Sequence, residues 1–418
     1  MQKRKAFVYR LRFKSHDEAE KLHQFAGCCR FVWNKALALQ KERLSKGKYC
    51  LAYPEMASVL LKWKRKYPFL KEVPSQALQQ RLMDLDKAIR EAFDKSNPKK
   101  FPQFRKKHLS RESFRYPQGF QIVDRRVFLP KFGWARFFKS REIEGTPKNV
   151  TVSLRGNHWF IAVQTEQDVP EPIHESSTSV GCDFGTVRLV TLSDGTYRMP
   201  VNAYEERRKD LSIAQSKLAR MVRGSHNYGK QKQLIRNIHI QIADKRMDHL
   251  QKITHDISKN HALVALEDLN IQNMTRSAKG TKDKPGKHVR QKSGRNRVIL
   301  DQGWGTFKRL IQYKEVWRGG IAVFVNPAYT SQECAVCGHI SSENRPSQEL
   351  FYCKKCGRTA NADENAARVV LSRVGRTPYA CGLNGAAMPS EAGTNRVPSR
   401  DGAAGISGLQ AGEDVNAL

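Results

Sequence analysis

The sequence predicts a multidomain α+β protein: a β-rich module interrupted by a helical bundle, an α/β region, a small cysteine ribbon and a disordered C-terminal tail. Three observations predict it. Apolar residues at helical spacing fill the segment between an N-terminal strand and a group of short β-like runs. Beyond residue 177, apolar strands alternate with two long amphipathic helices, which is typical of an α/β domain. Four cysteines beyond residue 330 have the spacing of a metal site.

The first element is a strand from Lys5 to Phe13, in which apolar and basic residues alternate. It has no strand near it in sequence, because helical patterning follows over residues 15–96. Short β-like runs return only in residues 97–172, where Pro, Phe, Arg and Lys dominate. We therefore expect residues 1–14 to pair with strands of 97–172 in one β-rich module, with the helices as an insertion.

The α/β region is predicted over residues 177–328 and 359–371, on either side of the cysteine ribbon at 329–358. Its first two strands are expected to form a hairpin, followed by two long helices and a buried strand. A flexible basic loop from Arg276 to Arg297 is either a mobile lid or substrate-strand clamp near the active site, or a disordered solvated linker. Residues 372–418 lack helical or strand periodicity, so the sequence predicts that they are disordered.

The chain is strongly basic, with 74 Lys and Arg against 40 Asp and Glu, a formal net charge of +34. The tail 372–418 contains four Arg and four acidic residues, so the whole excess lies in residues 1–371. Such an excess argues against a small-metabolite enzyme and favours a polyanionic partner. No apolar run approaches the ~18–20 residues of a membrane helix, so the polyanion is expected to be nucleic acid and not a membrane.

The most specific local pattern is two Cys-x-x-Cys pairs, Cys334/Cys337 and Cys353/Cys356. Two such pairs place four thiolates around a single Zn²⁺, and a site closed by four thiolates is structural, not catalytic. A ribbon of this size cannot bury a core of its own, so the metal supplies its folding energy. The chain has nine cysteines, an odd number, and four of them have metal spacing, which fits a reducing cytoplasm better than a disulfide framework.

Three acidic residues lie at the ends of predicted elements. Asp183 and Glu267 each end an apolar strand, and Asp363 opens a helix after the cysteine ribbon. Taken singly, these residues also fit a turn, a solvated strand end and a helix N-cap. Taken together, three rigidly held carboxylates can hold two Mg²⁺ for phosphodiester chemistry.

These segments, in this order, resemble the TnpB (OrfB) family of transposon-encoded RNA-guided nucleases, which is related to type V CRISPR effectors. The resemblance covers most of residues 1–371 and is most specific in 177–371. The segments that carry it are Gly181-Cys-Asp-Phe-Gly185, Glu267-Asp-Leu-Asn270, Tyr329-Thr-Ser-Gln-Glu-Cys334-Ala-Val-Cys337-Gly338 and Asp363-Glu-Asn-Ala-Ala367.

The resemblance implies a RuvC-type nuclease domain with an RNase H-like fold over 177–328 and 359–371, and a wedge module with a helical recognition insertion before it. Asp183, Glu267 and Asp363 match the metal-binding acids of the family, whose nuclease-dead relatives have lost one or more of them. The resemblance also implies a guide RNA from the transposon end that pairs with one strand of the target DNA. Cys182, Phe184 and Asn361 depart from the usual residues of the motifs, but none is a metal ligand of the family.

Candidate nucleic-acid contacts lie in two stretches of the N-terminal half, a helix from Gln76 to Arg90 and the basic aromatic segment Lys99–Lys107. A guide–target heteroduplex needs many cationic contacts that are not specific for bases. A solvated basic surface is the alternative interpretation of both. The candidate contact residues are Gln76, Gln79, Gln80, Lys99, Lys100, Arg105, Lys106 and Lys107.

The sequence therefore predicts an RNA-guided DNA endonuclease that cleaves beside a short flanking motif by Mg²⁺-dependent two-metal hydrolysis. We expect it to act as a monomer with its RNA in the prokaryotic cytoplasm or nucleoid. The alternatives are an RNA-guided repressor without cleavage, and a transposase or transposase accessory protein. The intact acids argue against the repressor, and no His-containing motif with a nearby Tyr nucleophile supports a transposase.

Overall fold

The computed structural model describes residues 2–96, 99–107, 112–281 and 283–376, so positions 377–418 of the predicted tail lie outside the described residues. The described part folds into two sheet-and-helix regions and a small cysteine ribbon. No helix among the described residues is both long and apolar enough to cross a membrane.

The first region is a seven-stranded antiparallel sheet with three helices packed on it. Its strands are β1 (Gln2–Arg12), β2 (Ser113–Tyr116), β3 (Gln121–Val123), β4 (Arg126–Leu129), β5 (Gly133–Phe137), β6 (Thr146–Arg155) and β7 (His158–Asp168). Its helices are α1 (His16–Ser45), α2 (Tyr53–Lys66) and α3 (Ser75–Phe93), with a 3₁₀ turn at Pro68–Lys71. The strand order β2-β6-β7-β1-β5-β4-β3 places the first strand of the chain in the middle of the sheet.

The central position of β1 follows from its alternating sequence. Phe7, Tyr9 and Leu11 are buried on one face, whereas Arg10 and Arg12 are exposed. β1 pairs antiparallel with β7 along most of its length and with β5 at its carboxyl end. The pairing predicted for the first strand is confirmed, and the helices α1–α3 share one apolar core with this sheet.

The second region is a five-stranded mixed sheet flanked by helices. Its strands are β8 (Ser179–Phe184), β9 (Val190–Leu192), β10 (Tyr197–Arg198), β11 (Leu263–Glu267) and β12 (Ile321–Val325), in the order β10-β9-β8-β11-β12. Its helices are α4 (Ala203–Ala219), α5 (His226–Asn260), α6 (Ile271–Met274), α7 (Val289–Gln302), α8 (Trp304–Arg318) and α9 (Ala362–Ser372). The ribbon contributes a 3₁₀ turn at Ser342–Asn344 and the two-stranded hairpin β13 (Leu350–Tyr352) and β14 (Thr359–Asn361).

Helices cover both faces of the second sheet. On one face, Leu250 and Ile257 of α5 and Phe307 of α8 join the core formed with β8 and β11. On the other face, Val370 of α9 packs with Ala265 of β11. β8, β11 and β12 run parallel and are largely buried, as strands covered on both faces are. The predicted β8–β9 hairpin is confirmed.

α9 approaches the backbone of the sheet closely at Gly181 of β8. A Cβ atom placed on Gly181 would lie 2.0 Å from the carbonyl oxygen of Ala367 and 2.9 Å from Cβ of Leu371. Ala366 and Ala367 are themselves small and buried. The glycine and the two alanines therefore let the helix lie directly on the strand.

Two predictions from local sequence need correction. The basic segment Arg276–Arg297 is not a loop throughout, because α7 begins at Val289 and is held at its far end by the ion pair of Asp301 with Arg246, 2.7 Å. The described chain also stays ordered past residue 372, where the tail was predicted to begin. α9 ends at Ser372 and a 3₁₀ turn continues to residue 376, because the Arg373 side chain bonds to Glu333 and to two backbone carbonyls.

Glu315 of α8 is an ionisable residue with no exposed surface. Neither carboxylate oxygen has a hydrogen-bond partner within the part of the chain that the structure describes. Burial raises the pKa of Glu315 from its ordinary 4.5 to about 7, although Ser258, His174 and Arg318 nearby oppose the shift. The folded protein therefore binds a proton at Glu315 over a pH range in which the unfolded chain has released it.

Replacing Gly181 with Ala is expected to lower the free energy of unfolding by about 1–3 kcal/mol or more, because the methyl group meets backbone that cannot move aside cheaply. Urea unfolding followed by circular dichroism measures this change. Gly229→Ala is the matched control, since it lies in α5 with no atom within 4 Å of the added Cβ and should be neutral or stabilising. Equal stability of the two variants would contradict the close contact between α9 and β8.

Glu315 is also expected to make the fold weaker as the pH rises. Its folded-state pKa is raised, so stability falls between about pH 4.5 and 7, where only the unfolded chain readily ionises this group. The stability of Glu315→Gln relative to the wild type should therefore rise from pH 5 to pH 8 by on the order of 2–3 kcal/mol. Urea unfolding at both pH values tests this, with the exposed Glu175→Gln as control. Parallel pH profiles for wild type and Glu315→Gln would refute it.

Candidate active site and metal centre

Two of the three predicted acids lie on neighbouring parallel strands. Leu266 of β11 is opposite Cys182 of β8, so the register places the next residues, Glu267 and Asp183, side by side at the carboxyl ends of these strands. The carboxyl ends of parallel strands at the middle of a sheet are where ligands and reacting groups gather in α/β folds. The strand register therefore brings these two carboxylates to one edge of the sheet.

The third acid reaches the same edge from α9. Asp363 is the second residue of the helix, and the Asn361 side chain caps the helix by accepting hydrogen bonds from the N–H groups of Asp363 (3.1 Å) and Glu364 (3.2 Å). Asn361, which departs from the family motif, thus has a structural role as the N-cap. The contact of α9 with β8 at Gly181 holds the first turn of the helix beside Asp183.

The three acids interact electrostatically. Burial raises the pKa of Asp183 well above its usual range, the negative charges of Glu267 and Asp363 raise it further, and the Arg345 guanidinium opposes them. A carboxyl in such a position holds its proton more tightly than an isolated aspartate, and a bound cation would relieve the repulsion. The three acids supply carboxylate oxygens, which are ligands that Mg²⁺ prefers.

Glu267 is the member of this group that the fold holds most tightly. It is 5% exposed, and the Thr330 hydroxyl donates a hydrogen bond to its Oε1 at 2.6 Å. Burial raises the pKa of Glu267, although Thr330, Arg373 and Lys308 act in the opposite direction. The neighbouring Asp268 instead pairs with Lys308 at 2.7 Å and is mostly exposed, so Glu267 is the acid of this pair that faces the site.

Arg345 is a residue of this site that the sequence analysis missed. It lies in the cysteine ribbon, where its guanidinium donates to Oδ1 of Asp363 at 3.2 Å and to the carbonyl oxygen of Gln348 at 2.9 Å. The sequence contains one weak indication of its role, since Arg345 is the only Lys or Arg between Cys337 and Cys353. The ribbon thus contributes a cation to the acid cluster.

The four predicted cysteines come together as one cluster. Their sulfur atoms all lie within 4.8 Å of one another, with Cys334 and Cys356 3.7 Å apart and Cys337 and Cys353 3.5 Å apart. Among the described residues, no other group of three or more His, Cys, Asp or Glu meets this distance, so the three acids are more widely spaced than the cysteines. The cysteine cluster can hold a metal ion as it stands.

The backbone around the cysteines is shaped to receive a metal. Gly338 and Gly357, each directly after a second cysteine, have φ of +69° and +71°, the left-handed conformation that glycine adopts readily. Burial opposes ionisation of the Cys353 thiol, but backbone N–H groups of Cys356 and Lys355 and the neighbouring thiols lower its pKa to about 6. A thiolate is the form that ligates metals.

Buried polar contacts fix the ribbon to the acid-bearing helix. The Asn365 amide on α9 donates to the carbonyl oxygen of Glu333 at 2.7 Å and accepts from the N–H of Ala335 at 3.1 Å. Arg373, after α9, bonds to the Glu333 carboxylate and to the carbonyl oxygens of Asn326 and Ala328. These contacts make the start of the ribbon and the end of α9 one rigid unit. They give Asn365 of the Asp-x-Asn-Ala-Ala motif a structural role that its spacing did not reveal.

The predicted nucleic-acid residues lie on the first region, apart from the acids. Gln76, Gln79 and Gln80 are half-buried on α3, and Lys100, Lys106 and Lys107 are exposed. Lys99 pairs with Glu91 at 2.8 Å. Arg105 is the exception, because it stacks on the Trp33 ring at 3.7 Å, its backbone bonds to the Asn34 side chain, and burial lowers its pKa to about 10. Arg105 thus has a structural role that anchors the basic segment to α1.

Comparisons with known proteins agree with these features. Family models match over three segments: "Helix-turn-helix domain" over residues 1–48, "Probable transposase", the OrfB model of the IS605 type, over 162–278, and "Cas12f1-like, TNB domain" over 304–370. Over the first segment the structure has β1 followed by the single long helix α1. The Cas12f1-like match contains the ribbon and α9.

Two relatives and one solved structure extend over most of the chain. The Putative RNA-guided DNA endonuclease InsQ of Escherichia coli (strain K12) is 47% identical over 386 residues, 91% of this chain and 95% of that protein. A Putative RNA-guided DNA endonuclease of Streptomyces pristinaespiralis is 30% identical over 91% of this chain and 92% of that protein. The Cas12f1 chain in a Cas12f1–sgRNA–target DNA complex shares the fold, with a TM-score of 0.50, 14% identity and coverage of 86% and 83%. The chain belongs to the TnpB (OrfB) family of the IS605 type.

Proposed function

We propose that this protein is the RNA-guided DNA endonuclease of a transposable element, and that it cleaves DNA beside a short flanking motif. The observation that carries the proposal is the convergence of Asp183, Glu267 and Asp363 from two parallel strands and a helix start, with the pKa of Asp183 raised by burial and by the other two acids. The two relatives named as RNA-guided DNA endonucleases support it.

We propose the domain division that the sequence predicts. Residues 1–14 and 97–172 form a wedge module that binds RNA and DNA, and 15–96 form its recognition insertion. Residues 177–328 and 359–371 form a RuvC-type nuclease domain with an RNase H-like fold, and 329–358 form a zinc ribbon. The mixed sheet with helices on both faces supports the nuclease assignment. Residues 372–376, which the sequence places in the tail, instead form the end of α9 and a 3₁₀ turn.

In the proposed mechanism the three carboxylates hold Mg²⁺, which when bound activates water and stabilises the leaving oxygen of the phosphodiester. Thr330 fixes Oε1 of Glu267 and so orients the carboxylate at the end of β11. Asp183 must release its proton to act as a ligand, and because its pKa is raised this release needs a higher pH than an ordinary aspartate does. Arg345 then faces the incoming phosphate and stabilises its developing charge.

The cysteine cluster is proposed to hold one structural Zn²⁺. Four sulfur donors with no open position suit a closed tetrahedral site. The metal would keep the ribbon folded, and the ribbon in turn holds Arg345 beside Asp363. Zinc therefore acts on the proposed reaction only through the placement of this side chain.

The partners are proposed to be a transposon-derived guide RNA and target double-stranded DNA, bound by a monomer in the prokaryotic cytoplasm. The net charge of +34 supports contacts to many phosphates. Gln76, Gln79 and Gln80 on α3 and the exposed lysines of 99–107 are proposed to contact the backbone of the heteroduplex. A guided repressor without cleavage is disfavoured because all three acids are present.

Sequencing the RNA that co-purifies with the protein tests the guided part of this proposal. We expect one discrete RNA species that ends in a variable guide. That RNA, returned to the purified protein with Mg²⁺, should direct cleavage of matching DNA. Random cellular RNA in the preparation, or joining of transposon ends to target DNA by the RNA-free protein, would contradict it.

Asp183→Ala is expected to reduce cleavage by at least about 100-fold, because it removes a carboxylate from the centre of the acid cluster. Binding of RNA and of matching DNA should persist. Gel-shift measurements under conditions without cleavage can verify this. Asp194→Ala is the matched control, since Asp194 is an exposed turn residue just after β9. Wild-type cleavage by Asp183→Ala would remove the basis of the proposed mechanism.

Cys353→Ser is expected to lose the bound zinc, measured as one metal equivalent per chain by plasma mass spectrometry in the wild type and none in the variant. The ribbon should then become sensitive to proteolysis, because metal binding supplies its folding energy. Cys50→Ser, at a half-buried cysteine of the first region, serves as control and should retain the metal. Full zinc content in Cys353→Ser would refute the four-cysteine site.

A further inference from the structure

A cleft of about 430 Å³ lies between the two sheet-and-helix regions, and its lining includes none of the three acids and none of the predicted nucleic-acid residues. One wall is formed by β1 and β7 of the first sheet, and the other by α5 and α8 of the second region. Its volume falls in the range of about 300–1,000 Å³ that is typical of small-ligand sites.

The cleft is lined by an excess of cations. Lys3, Lys314 and Arg318 have no carboxylate within 4.0 Å in the part of the chain that the structure describes, although Asp256 acts on Lys314 and Glu315 acts on Arg318 from further away. Their polar contacts are to neutral groups: Lys3 donates to the carbonyl oxygen of Trp317 at 2.8 Å, and Arg318 to the His255 ring at 3.3 Å. These contacts hold the cations in place without neutralising them.

Lys314 is a half-buried cation of the cleft whose pKa is lowered. Its ammonium donates to the carbonyl oxygen of Gln251 and the hydroxyl of Thr254, each at 2.8 Å. Burial and the nearby charge of Arg318 lower the pKa of Lys314 from 10.5 to about 8. Half-buried cations that repel one another are stabilised when an anion binds between them. The one carboxylate of the lining, Glu144, is already paired with Lys5 at 2.9 Å.

Aromatic side chains complete the lining beside these cations. The rings of Tyr313 and Trp317, one turn apart on α8, meet edge to face with centroids 5.1 Å apart, and both side chains are half-buried. A phosphate-binding cluster beside aromatic rings is the combination that recognises a nucleotide, because each base offers a face for stacking. Lys3 and Arg318 lie at the carboxyl end of α8, and Lys314 ties α8 to α5, so each has a structural role. These roles still leave three neighbouring cations with no carboxylate within 4.0 Å among the described residues.

We propose that this cleft binds a phosphorylated nucleotide, with the phosphate between Lys3, Lys314 and Arg318 and the base against Trp317 and Tyr313. The nucleotide comes either from an unpaired position of the bound RNA or from a free mononucleotide. The first source rests on the proposed function, since it makes the cleft part of the RNA-binding surface. In both cases the ligand joins the two regions across their boundary.

The double variant Lys314→Gln/Arg318→Gln in the full-length protein tests the RNA source. We expect its Kd for the co-purifying RNA to rise roughly tenfold, and the slope of log K against log salt to fall by about one, because the contact to one phosphate is lost. The matched control Lys252→Gln/Lys259→Gln removes two exposed lysines of α5 outside the cleft and should change both quantities much less. Mapping of crosslinks from photoreactive RNA should place Trp317 at an unpaired nucleotide.

Thermal unfolding of the RNA-free full-length protein tests the free-nucleotide source. Uridine or adenosine monophosphate at millimolar concentration should raise the Tm of the wild type but not of the double variant. Inorganic phosphate should protect less, because it lacks the base. Equal protection by phosphate, or RNA affinity unchanged in the double variant together with no nucleotide protection, overturns the proposal.

Guided cleavage by the wild-type protein, measured in parallel, separates this inference from the proposed function. If the wild type cleaves, but the double variant binds RNA normally and nucleotides do not raise the Tm, only the proposed nucleotide site is overturned. If nucleotides raise the Tm but the wild type does not cleave, the nucleotide site is supported and the proposed nuclease function is overturned. If the double variant without ligand is unfolded or has a much lower Tm than the wild type, the single variant Arg318→Gln replaces it. That variant leaves the Lys314 bonds to α5 in place.

Discussion

The contact of helix α9 with strand β8 at Gly181 is the interaction on which the candidate site depends. Because no side chain separates the two backbones, the helix lies on the strand at a fixed position along its axis. That position determines where the first turn of α9, with Asp363, stands relative to Asp183 at the strand end. Small residues on both elements, Gly181 on the strand and Ala366 and Ala367 on the helix, allow this approach. A larger residue at Gly181 would force the helix and the strand apart.

The same helix links the acids to the cysteine ribbon. Asn365 and Arg373 bond to the beginning of the ribbon, and Arg345 from the ribbon returns to Asp363. The ribbon is therefore coupled mechanically to the acid cluster, although its cysteines and the three acids are separate groups. Since a small ribbon depends on its metal for folding, a metal that takes no part in chemistry can still determine the charge balance of the site.

Opposite charges are separated on a large scale in this molecule. The chain as a whole is strongly cationic, yet the edge of the second sheet concentrates three carboxylates, where burial and mutual repulsion raise the pKa of Asp183. A cationic surface attracts a polyphosphate, and a cation at the acid cluster would be needed to bring the two negative partners together. The cleft between the regions shows the reverse arrangement: among its lining cations, only Lys5 has a carboxylate within 4.0 Å in the described part of the chain.

The sequence by itself determined the elements that local pattern encodes. The alternation of β1, the apolar strands that end at Asp183 and Glu267, and the spacing of the four cysteines were readable because strand period and metal-ligand spacing are local properties. Only the tertiary structure decided which polar residues meet across long separations. Arg345 with Asp363, Thr330 with Glu267 and Arg105 on Trp33 depend on how distant segments pack, and no local period marks such partners. The sequence also failed where basic composition concealed a helix, as in α7, whose anchor Asp301 lies beyond the basic segment and bonds to Arg246 on another helix.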